Sequence, residues 1–154
     1  MHKVHFSSNS NEWRTPVEFF QRLDAEFRFT LDAAATAENA QCANFYSCCA
    51  LERPWPGTVW LNPPYGRGIK DWIAKAYREA QAGATVVVLM PVRSDTPYWH
   101  DYVMKAAEVR LVQGRLRFTG GPKENTDSHN APFPCAVVVF RPGSHEPRFS
   151  SMPR

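Results

Sequence analysis

The apolar run TVVVLM at residues 85–90, which Pro91 closes, constrains the fold of this chain more than any other segment. An uninterrupted run rich in β-branched residues is typical of a strand that is covered on both faces, as in the parallel sheets of α/β proteins. Strand-like and helix-like segments alternate along the rest of the chain, which favours the same class. A length of 154 residues suits one domain with its own core, and the sequence has no internal repeat. We therefore expect a compact, single-domain α/β protein.

Two Thr-Pro pairs mark predicted helix starts. In the first pair, Thr15 is the expected N-cap and Pro16 the first helical residue, and Glu18 would complete a capping box. The second pair opens a helix predicted over residues 96–106. Between them, residues 69–82 have the apolar spacing of an amphipathic helix that ends at a glycine. These signals predict three helices.

The remaining strand candidates are short. They are the segments at residues 29–31, 44–47, 58–61, 109–112, 115–118 and 136–140. Residues 33–43 permit a helix, whereas residues 119–134 are rich in glycine, proline and polar residues, as long loops are. We place the domain at residues 12–141, with flexible tails at 1–11 and 142–154.

Composition sets only a background. The net charge of +3 and the pI near 8.8 are mildly basic and compatible with nucleic-acid binding. No apolar run is long enough to span a bilayer, and the N-terminus has no apolar signal core, so we expect a reducing, cytoplasmic setting. The cysteines form no C-x-x-C pair, which favours reduced packing residues over a metal site; they are Cys42, Cys48, Cys49 and Cys135.

The tetrapeptide Asn62-Pro63-Pro64-Tyr65 follows directly on a strand candidate and suits one chemical task, which is to hold a planar amine while a methyl group is delivered to it. The side-chain oxygen of Asn62 can accept one amine hydrogen, and the carbonyl of Pro63 can accept the other. Two such hydrogen bonds favour a pyramidal nitrogen whose lone pair is free to attack. Tyr65 offers a flat face on which a base could stack. The same residues also fit an ordinary proline-rich loop, with Tyr65 packed on the core.

The order of the strand candidates supports a site at this tetrapeptide. Ligands of open parallel sheets bind at the carboxyl ends of the strands. Asp32 ends the first strand candidate and Asn62 ends a later one, so both side chains would face one crevice if the two strands are neighbours. The helix start at Thr15-Pro16 leads into that crevice, and helix N-termini bind carboxylates. Taken alone, Asp32 could equally cap a following helix.

Hydride transfer and nucleotide hydrolysis are disfavoured, because the chain contains neither the dinucleotide fingerprint G-x-G-x-x-G nor a phosphate-binding P-loop. A cofactor without a phosphate chain remains compatible with the sequence.

Several motifs, in this order, resemble the compact, phage-type Dam family of DNA N6-adenine methyltransferases. The resemblance covers roughly residues 12–141. It rests on Thr15-Pro16, FTLDAAA at residues 29–35, Asn39, Tyr46, Trp55, NPPYG at 62–66, GATVVVLMP at 83–91, GRLRF at 114–118 and APFP at 131–134.

The resemblance implies a Rossmann-like, S-adenosylmethionine-dependent methyltransferase sheet, mostly parallel with an antiparallel C-terminal strand. It implies adenine N6 in DNA as methyl acceptor and residues 62–65 as the catalytic loop. It assigns binding of the donor to Asn62 and to Thr15, Pro16, Asp32, Ala33 and Ala34. Cys49 stands where an acidic residue would be expected to contact the adenine of the donor, with Glu52 as a possible substitute.

Candidate DNA contacts lie towards the C-terminal half of the chain. We assign this role to Arg93, Arg115, Arg117, Lys123, His129 and Asn130. Arg115 and Arg117 alternate with apolar residues, which an exposed edge strand would also do. Long loops are uncommon unless they bind something, which favours the assignment of the residues at 119–134.

Two further interpretations stay open. The same tetrapeptide serves methyltransferases that act on RNA adenine or on protein glutamine. The chain could also be a non-catalytic, nucleic-acid-binding accessory that retains the fold. A phage or restriction-modification origin would place the protein in the cytoplasm of a bacterial host.

Overall fold

In the computed structural model, which describes residues 14–119 and 129–154, six strands form one mixed sheet. Their order across the sheet is β1 (Leu31–Asp32), β2 (Thr58–Leu61), β3 (Thr85–Pro91), β7 (Cys135–Phe140), β4 (Glu108–Gln113) and β8 (Arg148–Pro153). Two further strands, β5 (Arg117–Phe118) and β6 (His129–Asn130), pair with each other in a separate antiparallel ribbon.

Parallel pairing predominates in the sheet. Strands β1, β2 and β3 are neighbours and parallel, and β4 is parallel to β8. Strand β7 runs antiparallel to both β3 and β4, between which it lies. The predicted α/β class and mostly parallel sheet are confirmed. The strand predicted at residues 136–140 is β7, and it is antiparallel as expected. It is not the last strand of the chain, because β8 follows it and is parallel to β4.

The two central strands carry the core, as the run at residues 85–90 predicts. Residues 86–90 of β3 and residues 136–139 of β7 are fully buried. Their β-branched side chains pack on both faces of the sheet, where a pleated surface accommodates them well.

Three helices flank the sheet within the described residues: α1 (Val17–Phe27), α2 (Ile69–Gln81) and α3 (Pro97–Asp101). Helix α1 buries Phe19, Phe20 and Leu23, the face that its spacing indicates. Helix α3 is shorter than predicted, since the chain leaves the α conformation at Tyr102 and continues as a 3₁₀ turn.

The helix permitted at residues 33–43 does not form, and the segment consists of turns and bends. The carboxylate of Asp32 accepts hydrogen bonds from the backbone N–H groups of Ala34 (3.3 Å) and Gln41 (3.0 Å). Such bonds offer the backbone an alternative to helical pairing. Opposite this segment, Phe45 makes only an isolated bridge to Asp32 in place of the predicted strand at 44–47.

The flexible tail expected from residue 142 is wrong for residues 148–153, which form β8. This strand pairs with β4 along its whole length, and Met152 packs against the core. Most of its side chains are exposed, as on an edge strand, so it carries no apolar run that the sequence would reveal.

Candidate active site

The tetrapeptide at residues 62–65 follows β2, a buried strand between β1 and β3. Because β1 and β2 are parallel neighbours with Asp32 opposite Trp60, their carboxyl ends lie at one edge of the sheet. Asp32 and Asn62 line the same cavity there. The predicted crevice is therefore present.

The carboxamide of Asn62 is held at both of its ends. Its Nδ2 donates to the Thr15 hydroxyl oxygen at 3.1 Å. Its Oδ1 accepts a hydrogen bond from the Tyr65 hydroxyl at 2.8 Å. The two contacts orient the amide plane and distinguish the oxygen end from the nitrogen end.

Thr15 accepts a hydrogen bond from Asn62 and does not cap helix α1, whereas the sequence predicts that it caps the helix. Helix α1 begins at Val17 with Pro16 at the N-cap position, and no side chain caps it. The Thr15 side chain is buried and its oxygen faces Asn62. The capping box with Glu18 is therefore wrong, because the hydroxyl that would have capped the helix is hydrogen-bonded to the catalytic-loop candidate.

Tyr65 lies behind the loop and is only 6% exposed. Its ring makes edge contacts with Phe118 and Phe133, at centroid distances of 6.3 and 5.5 Å. Burial raises the pKa of its hydroxyl well above the ordinary value, so the group stays protonated and remains a donor. Tyr65 is absent from the cavity lining, and its ring is placed as a packing residue would be.

Asp32 is a buried carboxylate at the end of β1, 2% exposed. Burial raises its pKa from 3.8 to about 6. The hydrogen bonds that it accepts from two backbone N–H groups oppose this shift. The side chain thus organises the loop after β1 and also presents a titratable group to the cavity.

The cavity has a volume of about 580 Å³, within the range typical of small-molecule sites. Asn62, Pro63 and Pro64 line one side of it. Of the predicted donor contacts, Thr15, Asp32 and Ala34 line it too. Pro16 faces a different groove, and Ala33 is fully buried with its N–H bonded to the Trp60 carbonyl, so neither borders the cavity.

Cys48, Cys49 and Glu52 also line the cavity. Glu52 therefore borders the same cavity as Cys49. Cys48 and Cys49 are exposed and do not serve as core packing residues, whereas Cys135 is buried. Among the described residues, no group of histidine, cysteine and acidic side chains could hold a metal ion.

Sequence reasoning missed other residues of the lining, notably Arg14, Gln41, Trp60 and Trp72. Trp60 precedes Asn62 by two positions, so strand periodicity places it on the same face and could have identified it. Trp72 has the apolar spacing of a core residue, yet it is only half-buried and contacts Trp55 at 6.2 Å between ring centroids.

The predicted DNA contacts lie around the ribbon of β5 and β6. Arg117 and Asn130 are directly opposite each other and exposed, and Arg115 is exposed just before β5. Arg93 is exposed, and its guanidinium lies 5.8 Å from the ring centre of Phe133. The backbone of His129 lies in β6. Lys123 falls outside the described residues.

These features define an α/β protein with a small-molecule cavity at the carboxyl ends of parallel strands, faced by a polar, proline-rich loop. The chain belongs to the family of DNA N-6-adenine-methyltransferases (Dam), whose family model matches residues 4–152. This confirms the resemblance that the motifs indicate.

The chain is also similar to a DNA N-6-adenine-methyltransferase of Escherichia phage T1. The two are 33% identical over 109 residues, which cover 68% of this chain and 45% of the relative. The match thus spans less than half the length of that phage protein. Across the described part of the chain, the helices are too short or too polar for any of them to cross a membrane.

Proposed function

We propose that this protein transfers a methyl group from S-adenosylmethionine to N6 of adenine in DNA, on a Rossmann-like methyltransferase sheet. The observation that carries the proposal is the Asn62 carboxamide, fixed from both ends at the edge of a 580 Å³ cavity. Membership of the Dam family supports the choice of acceptor.

The cavity fits S-adenosylmethionine in size and in chemistry. Its walls are largely apolar and include Trp60, Trp72 and Leu51, on which an adenosine group can pack. Asp32 offers a carboxylate to a cationic ligand. The Thr15 oxygen accepts from Asn62, so its hydroxyl hydrogen is not used in that bond and can be donated to an acceptor on the ligand. We assign binding of the donor to Thr15, Asp32, Ala34 and Asn62, with Glu52 in place of the acidic residue that is absent at Cys49.

The target adenine must leave the base stack before its amine can reach the loop. The side-chain oxygen of Asn62, which accepts from the Tyr65 hydroxyl, is the acceptor that we assign to one amine hydrogen. The carbonyl of Pro63 accepts no hydrogen bond from the described residues and supplies the second acceptor. The two acceptors would hold the amine and stabilise the positive charge that develops on its nitrogen.

S-adenosylmethionine, when bound, supplies an electrophilic methyl group on a sulfonium. The protein contributes position and charge stabilisation, and the proton of the methylated amine is released to water. No strong base is required, because the amine becomes acidic once it is methylated.

DNA would approach over the β5–β6 ribbon, which packs on Tyr65 through Phe118. We propose phosphate contacts for Arg93, Arg115 and Arg117 and a polar contact for Asn130. Lys123 and His129 remain predicted contacts. A base-stacking role for Tyr65 would require its ring to leave its contacts with Phe118 and Phe133, so we assign Tyr65 to support of Asn62.

The test is incubation with methyl-labelled donor and with DNA, RNA or protein, followed by nucleoside and amino-acid analysis. N6-methyladenine in DNA is the expected product. The Asn62→Ala variant should lose the product, whereas Asn44→Ala, a matched asparagine that does not border the cavity, should retain it. Label in RNA or in protein glutamine would favour those acceptors, and donor binding without transfer to any of the three would favour a non-catalytic accessory.

A further inference from the structure

A second groove, of about 850 Å³, runs between α1 and the ribbon strand β5. Three arginines line it: Arg22 on α1, Arg117 on β5, and Arg154, which directly follows β8. Arg22 and Arg154 belong to none of the motifs of the family resemblance. The groove therefore brings together basic residues from three separate parts of the chain.

The groove is positively charged. Arg22, Arg117 and Arg154 are exposed, and none of them forms an ion pair with a carboxylate of the described residues. Glu18 is the single acidic side chain among the described residues that line it. Arg115 is exposed beside it and adds a fourth positive charge to the same surface.

Contacts with the protein orient two of these guanidinium groups, those of Arg22 and Arg154. One nitrogen of Arg22 donates to the carbonyl of Pro153 at 3.2 Å, and the guanidinium lies 5.5 Å from the ring centre of Phe19. One nitrogen of Arg154 donates to the carbonyl of Arg115 at 3.4 Å. Each guanidinium has five N–H groups, so most of its donors remain available to a ligand. A planar fork of donors is the group that recognises phosphate best.

The groove and the donor cavity share one wall, formed by residues 14–16. Arg14 and Thr15 border the cavity, and Pro16 borders the groove. Backbone hydrogen bonds of 3.0 and 3.2 Å join Arg14 to Thr119, directly after β5. On the other side of β5, Phe118 packs on Tyr65, which holds Asn62. A strand whose base reaches Asn62 would thus have its backbone next to the groove.

We infer that this arginine groove binds the sugar–phosphate backbone of the DNA beside the flipped adenine. The inference rests on the proposed function and extends its DNA surface to Arg22 and Arg154. Contacts to phosphate carry no sequence information, so the groove supplies affinity and orientation, whereas sequence choice must come from other residues.

The test uses Arg22→Gln and Arg117→Gln, singly and combined, with Arg78→Gln as a matched control. Arg78 is an exposed arginine on α2 that borders neither the groove nor the cavity. Fluorescence anisotropy with a labelled DNA duplex over a series of salt concentrations gives the slope of log K against log salt. That slope is negative, and each lost phosphate contact reduces its magnitude by about 0.9. The double variant should therefore have a slope about 1.8 smaller in magnitude than the wild type, and the control should have the wild-type slope.

Calorimetric titration with S-adenosylmethionine accompanies the DNA measurement, and the groove variants should bind the donor as the wild type does. If the wild type methylates DNA but the groove variants keep its salt slope, the proposed role of the groove is overturned and the proposed function stands. A wild type that transfers no methyl group to DNA overturns the proposed function and the groove with it. Tighter binding of duplex RNA than of duplex DNA, with loss of that preference in the double variant, overturns the assignment to DNA.

Discussion

The Tyr65 hydroxyl donates to the Oδ1 atom of Asn62 at 2.8 Å, and the carbonyl oxygen of Leu89 lies 3.3 Å from the same hydroxyl. A tyrosine has one hydroxyl hydrogen, so it serves one of these acceptors at a time. The shorter contact favours Asn62. The carbonyl of Leu89 on β3 is the alternative acceptor when a substrate amine approaches Asn62. The hydroxyl thereby links the loop to the central strand of the sheet.

This contact predicts the effect of replacing Tyr65. We expect Tyr65→Phe to lower turnover by roughly 3- to 10-fold, since a net hydrogen bond contributes about 0.5–1.5 kcal/mol. Tyr65→Ala should also destabilise the fold by about 3–5 kcal/mol, because it removes a buried ring. Turnover and thermal melts measure the two effects. Tyr77→Phe, on α2 and away from the loop, is the control and should change neither. Full activity of Tyr65→Phe would remove the hydroxyl from the mechanism.

Asn62 is the next position to test. Asn62→Ala should lower methyl transfer by roughly 100-fold or more, the usual loss when a hydrogen-bond partner of the transition state is removed. Asn62→Asp keeps an oxygen acceptor and should retain more activity than the alanine variant. The Thr15 hydroxyl can then donate to the carboxylate instead of accepting from the amide. Single-turnover kinetics with a donor titration separates transfer from binding. Equal activity of the alanine variant and the wild type would exclude a catalytic role.

Truncation tests the contribution of β8. A chain that ends at residue 146 lacks β8 and exposes the edge of β4. We expect its melting midpoint to fall by several degrees, because 1 kcal/mol corresponds to about 2–4 °C in a domain of this size. A chain that ends at Pro153 keeps β8 and should melt like the full chain. An unchanged midpoint on removal of β8 would support the domain boundary at residue 141.

The sequence predicted well what depends on local pattern. The buried strands β3 and β7 and the amphipathic helix α2 follow from runs and spacings that are complete within each segment. The general rule that ligands bind at the carboxyl ends of parallel strands predicted that Asp32 and Asn62 line one cavity.

What the sequence could not predict depends on contacts between distant segments. The loop after Asp32 forms turns because its N–H groups reach that carboxylate, and Thr15 faces Asn62, 47 positions away in the chain. The burial of Tyr65 depends on Phe118 and Phe133, which approach it from the far end of the sequence. No local periodicity records such contacts.

The raised pKa of Asp32 predicts how stability depends on pH. In the folded state this pKa is about 6, above the ordinary value of 3.8, because burial disfavours the ionised carboxyl. Its contribution to the unfolding free energy is therefore fully present below about pH 4 and is lost as the pH rises through about 6. The shift corresponds to about 3 kcal/mol. Urea unfolding gives the unfolding free energy of the wild type and of Asp32→Asn between about pH 4 and about pH 7. The wild-type value minus the Asp32→Asn value should decline over this range, because only the wild type has the buried carboxyl. Parallel curves would contradict the assignment.

The same ionisation should control binding of the donor. S-adenosylmethionine carries a fixed positive charge on sulfur, and Asp32 borders the cavity that we propose for it. Because the carboxyl ionises as the pH rises through about 6, donor affinity should increase over that range, by at most about tenfold per pH unit for one linked proton. Asp32→Asn should bind more weakly above this range and lose the pH dependence. Asp71→Asn, an exposed acidic residue in the first turn of α2, is the control and should follow the wild type. Calorimetric titration at each pH measures the dissociation constants, and a wild-type affinity that is independent of pH would place Asp32 outside the donor site.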